Sequence, residues 1–482
     1  MLVLAVGAVV RFARSPQDGR AFLTLSSERE GGAAAEAATV PMPPPVGEVA
    51  YTVAPGDTLS AIAARFGTTV ENLMAANGIS DPDSIFIGQE LRLVVTADRD
   101  GPSMRTVPDS EVVLGPAYLD FDAGAFVRAQ GGPLATYSEA VNGVVLSGPD
   151  IVDRVAREFS VGPRVLLAFV EARSGWVTGT RPDEPPAGDD YPAGLVDPAR
   201  SGLWLQLNWL ADRLNGGYYD WKTRDSRLLT LADGTHLRGH EELGPGSFAV
   251  QRALALQSSE EQLQGRLQAF DAAYRRLFGD PWDREVATPV VGAVNFPQLA
   301  LPWRNGETWW LTGGPHGGWA SGSAWSALDF VPDDEARGCY VSAGWVTSPA
   351  DGVVLLAGED QTWGEGQLWI DIDGDGRRET GPVVYFLHIT VDGAVSNGQR
   401  VRVGDRLGHP SCEGGVSNAT HVHIARLSDG EWIAAAGADP LTLGRWMAVG
   451  APSAYDGGLV DGAGDEREAC ECREKGLNDV TW

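Results

Sequence analysis

Residues 420–424 read T-H-V-H-I, two histidines alternating with apolar residues. In an extended strand, positions i and i+2 share a face, so His421 and His423 point into one space while Val422 and Ile424 point the other way. The stretches around them have the same character. VTSPADGVVLLAG, GQLWIDIDGDG and PVVYFLHIT are rich in β-formers, and Asp351–Gly352, Asp392–Gly393 and Asn397–Gly398 are turn dipeptides. Short strands joined by tight turns predict an antiparallel β fold with little helix. His388 falls in another strand, V-V-Y-F-L-H-I, and GGPHGGWASGSAWSALDF holds His316 and Asp329. Five of the seven histidines lie in this region. A lone histidine is usually a satisfied core or surface residue. A same-face pair joined by a third strand histidine and an aspartate is instead the donor set of a metal or acid–base site.

The order of these motifs resembles the lysostaphin/LytM-type peptidases over essentially all of residues 286–450. That family pairs H-x-x-x-D with H-x-H, places a strand ending in Y-x-H-L between them, and shares the turn seen here as SPADGVV and the run seen as VSNGQRVRVGDRLG. One departure stands out: Trp325, not histidine, lies four residues before Asp329. His316 is the candidate upstream. A longer loop before an S-x-L-D segment is similar to the beta-lytic metalloendopeptidase branch, whose members also carry a cysteine shortly before H-x-H, here Cys412. The resemblance implies one Zn²⁺ held by His316, Asp329 and His423, with the fourth corner left to water. It implies His388 and His421 as the catalytic pair, their division of labour open. His409, in L-G-H-P-S, fits no family position and reads as a loop residue. Trp309, Trp310, Trp319 and Trp325 cluster around the first ligand, as core or as faces of a peptide groove.

Residues 50–95 form a second unit, with a βααβ reading. Tyr51–Val53 is a strand, Asp57 N-caps a helix with Leu59, Ile62, Ala63 and Phe66 at helical spacing, Thr69 starts a second helix, and Glu90–Val94 closes the unit. Y-x-V-x-x-G-D-T-L-x-x-I-A, the N-G-I-x-x-P loop and I-x-x-G-Q-x-L resemble a LysM domain along its whole length. That resemblance implies binding to N-acetylglucosamine-containing glycans through Gly56, Asp57, Thr58, Leu59, Asn77, Gly78 and Ile79. Residues 119–285 read as mainly helical: Ile151–Phe159, Pro163–Arg173 and Glu260–Phe278 have helical periodicity, and LLTLADGTHL is a hairpin. VGPRVLLAFVEARSG is similar to the A-x-x-x-x-E-S-G helix of lytic transglycosylases. Arg173 stands where the acid belongs and Glu171 two residues upstream. Arginine stays protonated and cannot donate the proton, so the segment reads as a lysozyme-like scaffold without that chemistry.

The fold class that emerges is multidomain: a small LysM unit, a mainly α middle domain and an antiparallel all-β peptidase domain. Residues 27–49 and 96–118 read as linkers and 451–482 as an acidic tail. At 482 residues, roughly three domains is the natural division. The balance of 37 Lys+Arg against 65 Asp+Glu, a net of -28, and the lack of a basic run exclude nucleic acid as the expected partner. The opening MLVLAVGAVV, inside residues 1–26, is about half of a ~20-residue span. It reads as a truncated signal or membrane anchor, or as a buried terminal segment. Cys339 and Cys412 are free to pair; Cys470 and Cys472 sit too close for an easy mutual bridge and either tie the tail down or stay free. Asp371, Asp373, Asp375 and Glu379 match part of a calcium loop, with a polar hairpin as the alternative reading. The expected function is a secreted or envelope-associated zinc endopeptidase acting on peptidoglycan. The competing readings are a silent LytM-type scaffold that recruits other hydrolases, and glycan cleavage by the middle domain.

Overall fold

Residues 46–482 are described in the computed structural model, apart from 55, 56, 66, 67, 83, 87, 98, 185, 186, 335, 336, 357–365 and 392. The signal or anchor reading of residues 1–26, most of the 27–49 linker, Gly56, Phe66 and Asp392 therefore lie outside the described residues. No helix among the described residues is long and apolar enough to cross a membrane.

The first unit has the expected βααβ order. Strands β1 (Val46–Thr52) and β2 (Glu90–Thr96) pair antiparallel around helices α1 (Leu59–Arg65) and α2 (Val70–Asn77). Thr58, rather than Asp57, caps α1: its Oγ1 accepts the Ala61 N–H at 3.1 Å. Asp57 instead takes the Ala54 N–H and the Tyr51 hydroxyl, which closes the turn ahead of the helix.

The middle segment is helical, built on α3 (Gly148–Phe159), α4 (Pro163–Ser174), α5 (Leu203–Arg224), α6 (Pro245–Ala255) and α7 (Glu260–Phe278). Local signals set their ends. Ser147 and Asp150 form a capping box on α3, Ser259 and Gln262 another on α7, and proline opens α4. The stretch 96–118 is no free linker: Thr106 and Val107 are buried, with their N–H groups on Ser247 Oγ, and Glu111 is buried against Arg164.

The β region is an antiparallel sheet. Its strands are β3 (Thr308–His316), β4 (Ala327–Pro332), β5 (Gly352–Leu356), β6 (Gln367–Asp371), β7 (Pro382–Leu387), β8 (Arg400–Val401), β9 (Val422–Ser428), β10 (Glu431–Trp432) and β11 (Asp479–Thr481), in the spatial order β8-β5-β6-β7-β9-β4-β3-β11, with β10 on β9. Residues 451–482 are thus not a tail: β11 pairs with β3, and Gly458–Asp461 and Glu466–Glu468 extend a second sheet. Cys470 and Cys472 are bonded to each other, against the sequence expectation. Asn478 fixes that short turn by donating to both cysteine carbonyls.

The two faces of the sheet have different company. Leu328, Ile424, Phe386 and Val384 form a core with Trp303 and Trp446. On the opposite face, Ala327, Ala425, Tyr385 and Leu427 share one core with the helices of the middle segment. Polar contacts reinforce this joint. Trp432 donates its indole N–H to the Phe159 carbonyl, Ser160 Oγ bonds the Gly430 carbonyl, and Lys222 Nζ reaches Glu431 Oε2 at 2.7 Å beside the Tyr218 hydroxyl. Burial pushes the Glu431 pKa up to about 7, although Lys222 opposes the shift. A raised acid stabilises the fold below its unfolded value, and that contribution is lost as pH climbs through the folded value. Thermal unfolding should therefore show stability declining between pH 4.5 and about 7, and Glu431→Gln should flatten that part of the curve. An unchanged slope in the variant would show that the buried acid is not its source.

Candidate functional site

Antiparallel register brings the donors together. His423 on β9 lies opposite Asp329 on β4, and β3 runs beside β4 with Gly313 opposite Asp329. Any side chain at Gly313 would put its Cβ 2.7 Å from Asp329 Oδ2, so glycine is what leaves room for the carboxylate. Register shifts on either side of Gly313 and before His316 swing His316 onto the same side. Trp325, in the place where most of the resembled family keeps a histidine, turns its ring under the Arg224 guanidinium on α5.

The three donors converge: His316 Nε2 is 3.0 Å from His423 Nδ1, and Asp329 Oδ1 is 3.3 Å from the former and 3.1 Å from the latter. Their outer nitrogens assign the tautomers. His316 Nδ1 donates to the Gly314 carbonyl at 2.8 Å, and His423 Nε2 to the Gly318 carbonyl at 3.0 Å. Two imidazoles so anchored turn their other nitrogens inward, onto a carboxylate oxygen. Three acceptors at that spacing repel unless a cation or a proton lies among them. Two imidazoles and a carboxylate suit zinc, so the residues fit the metal that the sequence implied.

Burial works against a charged His316, yet the Asp329 carboxylate outweighs it and raises the pKa. Burial would raise the pKa of Asp329; His316 and His423 reverse that and hold it well below the ordinary carboxylate range. Burial lowers the pKa of His423.

His388 and His421 flank this cluster with ring centroids 4.4 Å apart. Each donates Nδ1–H to a main-chain carbonyl, Glu413 and Ala419 respectively, which leaves Nε2 as the acceptor. His421 Nε2 is 3.7 Å from Asp329 Oδ1. His388 is not within a regular strand as expected; it sits after β7 at φ +63°, a left-handed conformation that histidine holds at a cost and that turns its ring towards His421. The Cys339–Cys412 bond ties the loop before His421 to the segment that carries Cys339.

Sequence reasoning missed Tyr455. Its ring stacks on His316 at 4.1 Å, held by a backbone exchange with Gly314 and Pro315. It lies in the segment taken for a tail, and an isolated tyrosine carries no spacing signal. Of the four tryptophans, Trp309 is core, stacked on Trp303; Trp310 reaches Asp333 at the edge; Trp319 lies between Phe159 and Gly415 at the site. His409 is on the strand Arg406–Pro410, bonded to the Gly344 carbonyl and apart from the cluster.

The other expected sites are less complete. In the glycan-binding set Thr58 and Gly78 are exposed, whereas Leu59 is buried and Ile79 packs against the core. Asn77 uses its side-chain amide on the Leu73 carbonyl and the Arg92 backbone, so it shapes the loop. Asp371, Asp373 and Asp375 converge, but Asp371 accepts the Gly374 and Gly376 N–H groups and Glu379 turns to Arg157. Nothing there favours calcium over a hydrogen-bonded turn. Glu171 is fully engaged by Val177 N–H, Thr178 N–H and hydroxyl, and Arg276, which is a structural role.

Residues 51–94 match the family model for the LysM domain, and residues 105–290 that for the LasA N-terminal domain. Protease LasA of Pseudomonas aeruginosa (strain UCBPP-PA14) is 25% identical over 299 residues, which cover 58% of this chain and 66% of that protein. The chain thus joins a LysM domain to a segment that matches the LasA N-terminal domain. N-acetylmuramoyl-L-alanine amidase XlyA of Bacillus subtilis (strain 168) is 34% identical over 119 residues, 24% of this chain and 40% of that protein. Among solved structures, the M23 metalloprotease pseudoalterin from the deep sea is similar at 23% identity and TM-score 0.30, covering 37% of this chain and 98% of that one. The lysostaphin catalytic domain of Staphylococcus simulans is similar at 19% and TM-score 0.19, covering 28% and 89%. The LasA relatives are spanned to just under two thirds of their length. The lysozyme-like reading of the middle segment rests on its helix motif alone; the segment matches the LasA N-terminal domain.

Zinc added to the metal-free chain should raise its unfolding temperature, with about 2.7 kcal/mol gained at a hundredfold excess over Kd. Asp329→Ala or His423→Ala should abolish that rise in a thermal melt. A full rise in both variants would place the metal elsewhere.

Proposed function

We propose that this chain is a zinc-dependent endopeptidase that hydrolyses peptide bonds of bacterial peptidoglycan while its LysM domain holds the glycan. The observation that carries the reading is the inward convergence of His316, Asp329 and His423 with His388 and His421 beside them. Zinc, when bound, lowers the pKa of a coordinated water to about 7 and polarises a carbonyl. The chain's own residues supply the rest. Burial next to His421 and His423 takes the His388 pKa down to about 3, so its imidazole is a neutral acceptor. Nε2 of His388 and of His421 are the two atoms available to take a proton from water, support developing charge or return a proton to the leaving amine. Asp329 and the outer carbonyls of Gly314 and Gly318 keep the ligands in register throughout.

The peptidoglycan assignment draws on LysM and on relatives named as a protease and as amidases of N-acetylmuramoyl-L-alanine. An extracytoplasmic location follows from that substrate, and the disulfides suit an oxidising compartment. A silent scaffold is the weaker reading because the ligand and catalytic sets are whole. Glycan cleavage by the middle segment loses its acid, since Glu171 is fully engaged.

Purified peptidoglycan incubated with the zinc-loaded chain should release new amino groups and no new reducing ends. His388→Ala and His421→Ala should each cut amine release by about a hundredfold or more. Undiminished release in both variants, or reducing ends in place of amines, would defeat the proposal.

A further inference from the structure

The loop that follows His316 is seated on a helix of another segment. Asp212, on α5 and nearly buried, accepts the Gly322 N–H on Oδ1 at 2.6 Å and the Ser321 hydroxyl on Oδ2 at 3.2 Å. The contact is close in a second way. A Cβ at Gly322 would lie 1.9 Å from the Asp212 carbonyl oxygen, so only glycine lets the loop rest directly on the helix backbone. The loop has little slack beyond that point. Trp319 N–H bonds Ser323 Oγ, Gly318 N–H bonds the Ala324 carbonyl, and the Trp319 ring packs edge-on against Phe159 of α3. At its near end the Gly318 carbonyl accepts Nε2–H of His423.

We propose that Asp212 is a positioning residue of the metal site: by seating residues 317–323 it holds the Gly318 carbonyl where it fixes the tautomer and ring angle of His423. The inference rests on the zinc-peptidase reading. A histidine that offers Nδ1 inward must give Nε2–H to an outer partner, and such partners tune both orientation and metal affinity. Here the outer partner is a main-chain carbonyl, so its position depends on whatever holds its loop. The middle segment thus completes the site from outside the sheet. Without the carboxylate, the buried Gly322 N–H loses its acceptor, and the loop must move to regain one.

The test uses the full chain, with zinc affinity read by chelator competition, the d–d spectrum of the cobalt-substituted protein, and the split between kcat and KM. Asp212→Ala should weaken zinc binding roughly tenfold, shift the cobalt bands and lower kcat with KM held. Asp212→Asn, which keeps an acceptor for Gly322, should return all three towards the parent. Ser321→Ala removes only one of the two loop contacts and should give a smaller change of the same sign. Lys222→Met breaks another polar tie between the same segments, that to Glu431, without touching the loop, and should leave zinc affinity and the cobalt bands at parent values. Parent-like affinity and bands in Asp212→Ala, or their loss in Lys222→Met, would overturn the proposal in favour of simple docking. If the parent binds zinc but releases no amines, the peptidase reading falls, while the zinc and cobalt measurements still judge Asp212.

Discussion

Four imidazoles at this site each give one N–H to a main-chain carbonyl: His316 to Gly314, His388 to Glu413, His421 to Ala419 and His423 to Gly318. That constraint governs much of the surrounding structure. A side-chain partner could swing with its rotamer; a carbonyl moves only with its loop. The loops must accordingly be stiff. The disulfide from Cys412 to Cys339 restrains one, and the Thr420 bonds to Tyr340 and Gly338 restrain it further. The 317–323 loop is stiffened by bonds within itself and by α5. Each imidazole then turns its other nitrogen inward, where Asp329 lies among them.

Such a cluster needs stable surroundings, and the chain builds them on both faces of the sheet. One face packs its own apolar layer. The face that bears His423 and Asp329 continues, two residues further along each strand, into Ala425 and Ala327, which lie under the helices of the middle segment. The histidine–aspartate cluster therefore borders a shared core rather than an open sheet. Closing strand β11 adds support from the far side, pairing with the strand that delivers His316. Sequence position is a poor guide to which pieces serve the site: residues 159, 212 and 455 all touch it or its loops.

What the sequence made legible was whatever has a period or a spacing. T-H-V-H-I declared both its strand and its same-face pair, and the LysM unit declared its helices. Pro163 marked a helix start that the structure has, whereas the capping boxes at Ser147 and Ser259 emerge only in the structure. Helix α5 was not evident, because Trp204, Asn208, Gly216 and Gly217 blur its polar and apolar faces. Segment 451–482 looked like a tail because its acidic composition hides three short strands, whose pairing is a long-range property. Tyr455 was invisible for the same reason. His316 was reached by elimination, and only the irregular register of β3 explains how a residue thirteen positions before Asp329 can meet it.

Two buried acids show why residue type and burial alone do not mark a site. Glu171 and Asp329 are both withdrawn from water. Glu171 receives two backbone N–H groups, a hydroxyl and a guanidinium, so its lone pairs are occupied and its charge is balanced. Asp329 faces imidazole nitrogens whose own hydrogens are committed elsewhere. The first environment is complete without a ligand and does structural work. The second fits a cation among its donors. Tracing where each outer N–H goes separates the two, and it does so from hydrogen bonds that leave no trace in the spacing of the sequence.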